Sequence, residues 1–244
     1  MTYCVGMRLD RGLIFMSDTR TNAGVDDIAQ VQKMKIWEEP GERVITLLSA
    51  GNLATTQAVV SLLDERSKAP EDRDPSIMND PTMFQVARRV GKTLQEVVQS
   101  NSDNGQQASS MFGATLILGG QIKGSEPRLF LIYPEGNFIE AGQDNPFFQI
   151  GESKYGKPIL VRAFDREMSF ENAVKLLLVS FDSTIRANVS VDLPFDMLAY
   201  EVDSFTSKQR QRVERDDEYF RQISNGWGEA LKDAFHSLPE FTFD

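Results

Sequence analysis

Residues 2–24 read TYCVGMRLDRGLIFMSDTRTNAG, and their division into strand and turn decides the fold. Apolar residues dominate 3–7 and 13–17, and the LDRG between them (residues 9–12) carries the Asp and Gly of a tight turn. Two short apolar runs flanking such a turn predict a β-hairpin. Working outward, a third strand is predicted at 33–37, where Lys33, Met34, Lys35 and Ile36 alternate, and a fourth at RVITLLSA (43–50), apolar enough for burial on both faces.

After SAGN (49–52), Ala54, Ala58, Val59, Leu62 and Leu63 recur at helical spacing. SKAPEDRDPSIMNDP (67–81) is a polar, proline-bearing connection, and Met83, Val86, Ala87, Val90, Leu94, Val97 and Val98 mark a second amphipathic helix that ends at SNSDNGQQASS (100–110). Strand patterns resume at 111–120, 127–136, 137–142 and 147–153, with Gly, Pro and Asn turns suited to an antiparallel meander. A long apolar helix at 171–187 and a strand at 196–205 follow. Strands and helices segregated in runs predict an α+β protein with helices layered on antiparallel sheets. From residue 206 the chain is densely charged, and Val213, Phe220, Ile223, Trp227, Leu231 and Phe235 trace a helical stripe interrupted by Gly226 and Gly228. Such an extension, 206–244, packs on the preceding domain, 1–205, or on a neighbouring subunit.

The 244 residues carry 36 acids and 26 bases, a net charge of −10, which disfavours a nucleic-acid or anionic-membrane surface. Charged residues break the first 20 positions, so neither a signal-type run nor a membrane span is predicted there. The single cysteine excludes an intramolecular disulfide and suits a reducing, cytoplasmic setting. Cys4 reads as a core residue, because the lone histidine, His236, lies far off in the tail. His236 itself reads as a surface or packing residue, Asp72 and Asp74 as solvated, and RDDEYF (215–220) as a salt-bridged helix face.

The chemistry sits at the front of the chain. Removal of Met1 before a small residue would leave Thr2 carrying a hydroxyl and a free α-amine. An α-amine with an ordinary pKa of ~7.7–8.0 can take the hydroxyl proton near neutrality, and a nearby ammonium lowers that pKa further. Asp18 ends the second strand and Lys33 opens the third, so an antiparallel arrangement places both near residue 2.

A threonine at the processed terminus, SDTR with Asp18 and Arg20, TNAG with Gly24, a lysine leading the next strand and SAGN with Gly51 together resemble the proteasome β-subunit pattern. The motif order is similar to that of the bacterial HslV peptidase, and the MTYC start, the SDTRTNAG block and the C-terminal extension resemble most the family called Anbu, the ancestral β-subunit. The resemblance implies an N-terminal-nucleophile (Ntn) hydrolase fold, an αββα four-layer sandwich with two antiparallel sheets between helical layers. It assigns Thr2 as nucleophile, Asp18 as the group orienting the lysine and the amine, Lys33 as the modulator of the amine, and Gly51 as the oxyanion-hole position.

Thr21 then lies on a strand that pairs with an extended peptide, and Leu53 near an apolar first specificity pocket. Ser153 in GESKYG best matches the serine that contacts the terminal amine, within a residue or two of register; Asp182 and Ser190 are further candidates for support. The spacing from Gly24 is one residue short of the usual one, and Lys35 shares a strand face with Lys33, which is better placed at the strand's start. The implied protein is a threonine peptidase without metal or organic cofactor, a homo-oligomer enclosing its sites, acting on peptides or unfolded chains, with an ATP-dependent unfoldase as candidate partner. A related amidase acting on a small amide and a non-catalytic scaffold or peptide-binding protein of the same fold are the alternatives.

Overall fold

The computed structural model describes residues 2–22, 28–68, 76–100 and 112–243; Met1, Gly24, Asp72 and Asp74 lie outside them. The opening hairpin forms as expected, β1 (Tyr3–Leu9) pairing antiparallel with β2 (Gly12–Asp18), Leu9 opposite Gly12. Two short strands, β3 (Arg20–Asn22) and β4 (Ile28–Gln30), pair with each other, and β5 (Met34–Glu39) and β6 (Arg43–Gly51) follow. Helices α1 (Leu53–Lys68) and α2 (Met83–Ser100) precede β7 (Ala114–Ile122), β8 (Arg128–Ile132), β9 (Phe138–Glu140) and β10 (Phe147–Gly151). The chain continues through α3 (Lys157–Ala163), α4 (Phe170–Ala187), β11 (Phe195–Glu201), β12 (Arg210–Val213) and α5 (Glu218–His236).

Two five-stranded antiparallel sheets result, in the orders β10-β1-β2-β11-β12 and β5-β6-β7-β8-β9. One apolar layer between them includes Cys4, Leu13, Phe15, Leu48, Ile117 and Tyr200. A second lies under α1 and α2, and a third under α3, α4 and α5. The arrangement is the α+β protein expected from the segregated pattern, with the helix–sheet–sheet–helix layering that the resemblance implied. Burial on both faces explains why β2 and β6 read as continuous apolar runs rather than alternating ones.

Besides the short β3–β4 pair, which precedes the strand predicted third, three features depart from the sequence reading. The meander covers only β7–β9; β10 leaves it and pairs with β1 in the other sheet, Tyr3 opposite Gly151. The short α3 was not expected. Val213 belongs to a strand, not to the helical stripe: β12 caps the edge of β11, with Phe195 opposite Val213, and buries only Val213. An edge strand exposed on most of its length tolerates a charged sequence that pattern alone reads as helix. Helix α5 then starts at the Asp217 cap and runs through Gly226 and Gly228; Phe220 is buried against Phe195, whereas Leu231 and Phe235 are exposed.

Candidate active site

The start of β1 is fixed from three directions. Tyr3 donates its N–H to Asp18 Oδ1 at 2.9 Å. Its buried hydroxyl is tied to Ser180 Oγ on α4 at 2.7 Å and accepts from Gln149 Nε2 at 2.6 Å, and its ring packs on Phe181 with centroids 4.4 Å apart. Burial raises the Tyr3 phenol to about 12, so it stays a neutral anchor. Thr2, next to it, accepts a hydrogen bond on its carbonyl from the Glu152 N–H at 2.6 Å. Gly151, at φ +81°, allows this approach: a Cβ there would lie 2.0 Å from the Thr2 oxygen.

Lys33 immediately precedes β5. Its ammonium donates to Asp18 Oδ1 at 2.8 Å and to the Arg20 carbonyl at 2.6 Å. Both side chains are withdrawn from solvent, 6% exposed for Lys33 and 0% for Asp18. Burial pushes the Asp18 carboxyl above its ordinary range, while Lys33 and the Tyr3 N–H pull against that rise. Among the described residues Asp18 Oδ2 has no hydrogen-bond partner, which leaves one buried acceptor beside the start of the chain.

A cleft of about 420 Å³ opens above this pair, and Thr2, Thr21, Lys33, Gly51 and Leu53 all line it, together with Val31, Ala50, Thr56 and Val60. Gly51 ends β6 at φ +121°, where a Cβ would meet the Gly113 carbonyl oxygen at 2.5 Å. Asn52 then turns the chain into α1, its side-chain oxygen accepting from Thr55 N at 3.1 Å. The cleft wall is therefore a strand end followed at once by a capped helix.

Five of the seven singled-out positions line one cleft, and Asp18 lies beneath it. The seventh, Ser153, does not join them: it is exposed and lines a separate cleft of about 520 Å³ bounded by β8–β10 and α3. Its neighbour Glu152 is buried and holds Thr2 through its backbone; its carboxylate accepts from Asn188 Nδ2 at 2.9 Å, and Asn188 in turn accepts from Ser190 Oγ at 2.5 Å. Among the described residues Ser190 is linked to Thr2 through Asn188 and Glu152. Asp182 faces α5, accepting from Ser224 Oγ at 2.6 Å and from Arg186. Lys35 turns away to Asp64 on α1 at 2.7 Å.

Cys4 is fully buried between the sheets, its thiol pKa pushed up by burial, and His236 is exposed at the end of α5. Among the described residues no cluster of side chains is arranged to hold a metal, and no helix is long and apolar enough to cross a membrane.

The family model of the proteasome subunit matches residues 2–192. The proteasome subunit alpha of Sulfolobus acidocaldarius is 23% identical over 218 residues, 87% of this chain and 82% of that protein. Anbu (ancestral beta-subunit) from Yersinia bercovieri superposes with a TM-score of 0.92 at 48% identity, covering 99% of this chain and 100% of its own. Anbu from Hyphomicrobium sp. strain MC1 gives 0.91 at 53% identity, covering 99% and 100%. The Anbu complex from Pseudomonas aeruginosa, solved as a helical assembly, gives 0.91 at 45% identity, covering 99% and 98%.

Proposed function

The chain belongs to the proteasome subunit family and is similar over its whole length to Anbu structures, and from that premise we propose that it is a threonine-type peptidase whose nucleophile is Thr2 once Met1 is removed. The observation that carries this reading is the Lys33 ammonium, held between Asp18 and the Arg20 carbonyl in the cleft that Thr2 lines. A fixed cation there favours the neutral α-amine, which takes the proton from Thr2 Oγ as the oxygen attacks a substrate carbonyl. The Gly51 N–H stabilises the tetrahedral oxyanion, the ammonium passes its proton to the leaving amine, and water hydrolyses the Thr2 ester by the reverse sequence. The spare Asp18 Oδ2 suits an N–H of the freed α-amine.

Peptide is favoured over a small amide because Thr21 sits on β3, whose only partner among the described residues is β4. An unpaired strand edge beside the cleft offers an extended substrate a ladder, with Leu53 setting an apolar first pocket. Residues 1–205 form the hydrolase domain in this reading and 206–244 an extension that packs on it through β12 and contacts a neighbouring copy through the exposed face of α5, in a cytoplasmic homo-oligomer; assembly itself is supported by the helical assembly of the Pseudomonas aeruginosa relative. Sites enclosed by such an assembly call for unfolded substrates, which an ATP-dependent unfoldase supplies.

The test is the intact mass of the purified protein before and after a peptide epoxyketone, whose stable ring adduct needs both a hydroxyl and a free amine on the terminal residue. Loss of the Met1 mass and one adduct per chain, absent in Thr2→Ala, are expected. A retained Met1 without an adduct would overturn the reading in favour of a non-catalytic scaffold.

A further inference from the structure

Lys33 depends on a backbone carbonyl that its own strand does not fix. The Arg20 oxygen belongs to β3, three residues long and paired only to β4 among the described residues. A ladder this short does not hold a carbonyl in place by itself. Other contacts set its position: Thr19 Oγ1 donates to the Pro194 carbonyl at 2.9 Å, Val31 N–H donates to the Thr19 carbonyl at 2.8 Å, and Arg20 Nη1 meets Asp192 Oδ2 at 3.0 Å.

Asp192 is also held from the far side. Its Oδ1 accepts from the Leu193 N–H at 2.8 Å, and the Oδ2 that takes Arg20 also takes Arg215 Nη2, at 2.6 Å. Arg215 stands between β12, which pairs with β11, and Asp217, which caps α5, so its backbone is anchored on both sides. The Asp192 side chain is only 18% exposed, so Arg215 meets a carboxylate already withdrawn from most of its water.

We propose that Arg215 of the C-terminal extension is a positioning residue for the site: through Asp192 and Arg20 it holds the carbonyl that fixes Lys33. The inference rests on the reading of Thr2 as nucleophile for its catalytic consequence, but its structural half stands apart from that reading. Arg215 touches neither Thr2 nor the cleft, and its single-nitrogen contact is one a lysine can replace.

The experiment compares wild type, Arg215→Ala, Arg215→Lys, Asp192→Asn and the Arg215→Ala/Asp192→Asn double variant, each as the full chain. Hydrogen exchange of the peptide containing Val31, whose amide reports on the Thr19–Arg20 segment, is read first. Faster exchange in Arg215→Ala, restored in Arg215→Lys, is expected; unchanged exchange overturns the relay whatever the protein's chemistry.

The maximal rate of epoxyketone modification is read second. Arg215→Ala lowers it about fivefold at unchanged half-saturation, Arg215→Lys recovers most of the loss, and the pH profile moves upward because a less firmly held Lys33 depresses the amine less. Adding Arg215→Ala to Asp192→Asn changes nothing further if the effect passes through Asp192, whereas additive losses overturn that route. A wild type that never reacts after Met1 removal defeats the nucleophile reading and leaves the exchange result to decide the relay.

Discussion

Replacing Lys33 by methionine keeps most of its aliphatic volume and removes its charge. Asp18, with a side chain 0% exposed, then retains the Tyr3 N–H at 2.9 Å but loses the only side-chain cation that meets it among the described residues. Breaking a buried pair from one side costs about 3–5 kcal/mol. Protonation sets a ceiling on that cost: at pH 7, placing a proton on a carboxyl that ionises at ~3.9 in the unfolded chain costs ~4.2 kcal/mol, and at pH 5 only ~1.5 kcal/mol. Burial already holds the Asp18 carboxyl above its usual range with Lys33 pulling against it, and removing Lys33 raises it further. A carboxyl with a raised folded pKa binds its proton more readily folded than unfolded. The variant's deficit is therefore greatest above its own folded pKa and shrinks as pH falls through that value toward the lower folded pKa of the wild type. Urea denaturation of both proteins at matched salt is expected to give a clear deficit at pH 7 that stays below ~4.2 kcal/mol, and a smaller one at pH 5 that stays below ~1.5 kcal/mol. The same deficit at both pH values would refute the argument that Lys33 keeps Asp18 ionised.

Gly151→Ala puts a methyl 2.0 Å from the Thr2 carbonyl oxygen at φ +81°; it is expected to cost ~1–2 kcal/mol in backbone strain and to displace Thr2. Circular dichroism should be retained and epoxyketone modification slowed at least about tenfold, and a wild-type rate would sink this account of the Gly151 contact. Leu231→Glu with Phe235→Glu alters side chains 49% and 72% exposed on the single chain, so its stability should change by no more than about 0.5 kcal/mol each. Light scattering is expected to show smaller particles, and an unchanged mass would remove this face of α5 from the subunit contact. Leu53→Lys places a cation at the cleft wall and is expected to shift cleavage about tenfold toward acidic over apolar residues; an unchanged ratio would put Leu53 outside the specificity pocket.

Much of the architecture was readable because it is written in local periods. The LDRG turn, the alternation at 33–37 and the helical stripes of α1, α2 and α4 each specify their element without reference to distant residues. Thr2, Asp18, Lys33 and Gly51 could be singled out as candidates for a related reason: they lie at strand ends within the first 51 residues, in a motif order that carries over as a unit.

What the sequence alone determined, then, was most of the elements, the fold class and a set of candidate site positions at the ends of the opening hairpin and of β5 and β6. Tertiary structure decided whatever depends on which face or edge meets which. Lys33 and Lys35 share a face by alternation, and the preference for Lys33 at the strand's start gains its physical basis only from Asp18 meeting Lys33 and Asp64 of α1 meeting Lys35. Glu152 and Ser153 differ by one residue, yet only the fold shows that Glu152 is buried beside Thr2 while Ser153 lines a separate cleft. β12 has no strand pattern because its ladder comes from β11 rather than from its own side chains. The Arg20–Asp192–Arg215 link joins segments 172 and 23 residues apart; ion pairing requires proximity, and proximity between such segments exists only once the sheet that brings them together has formed.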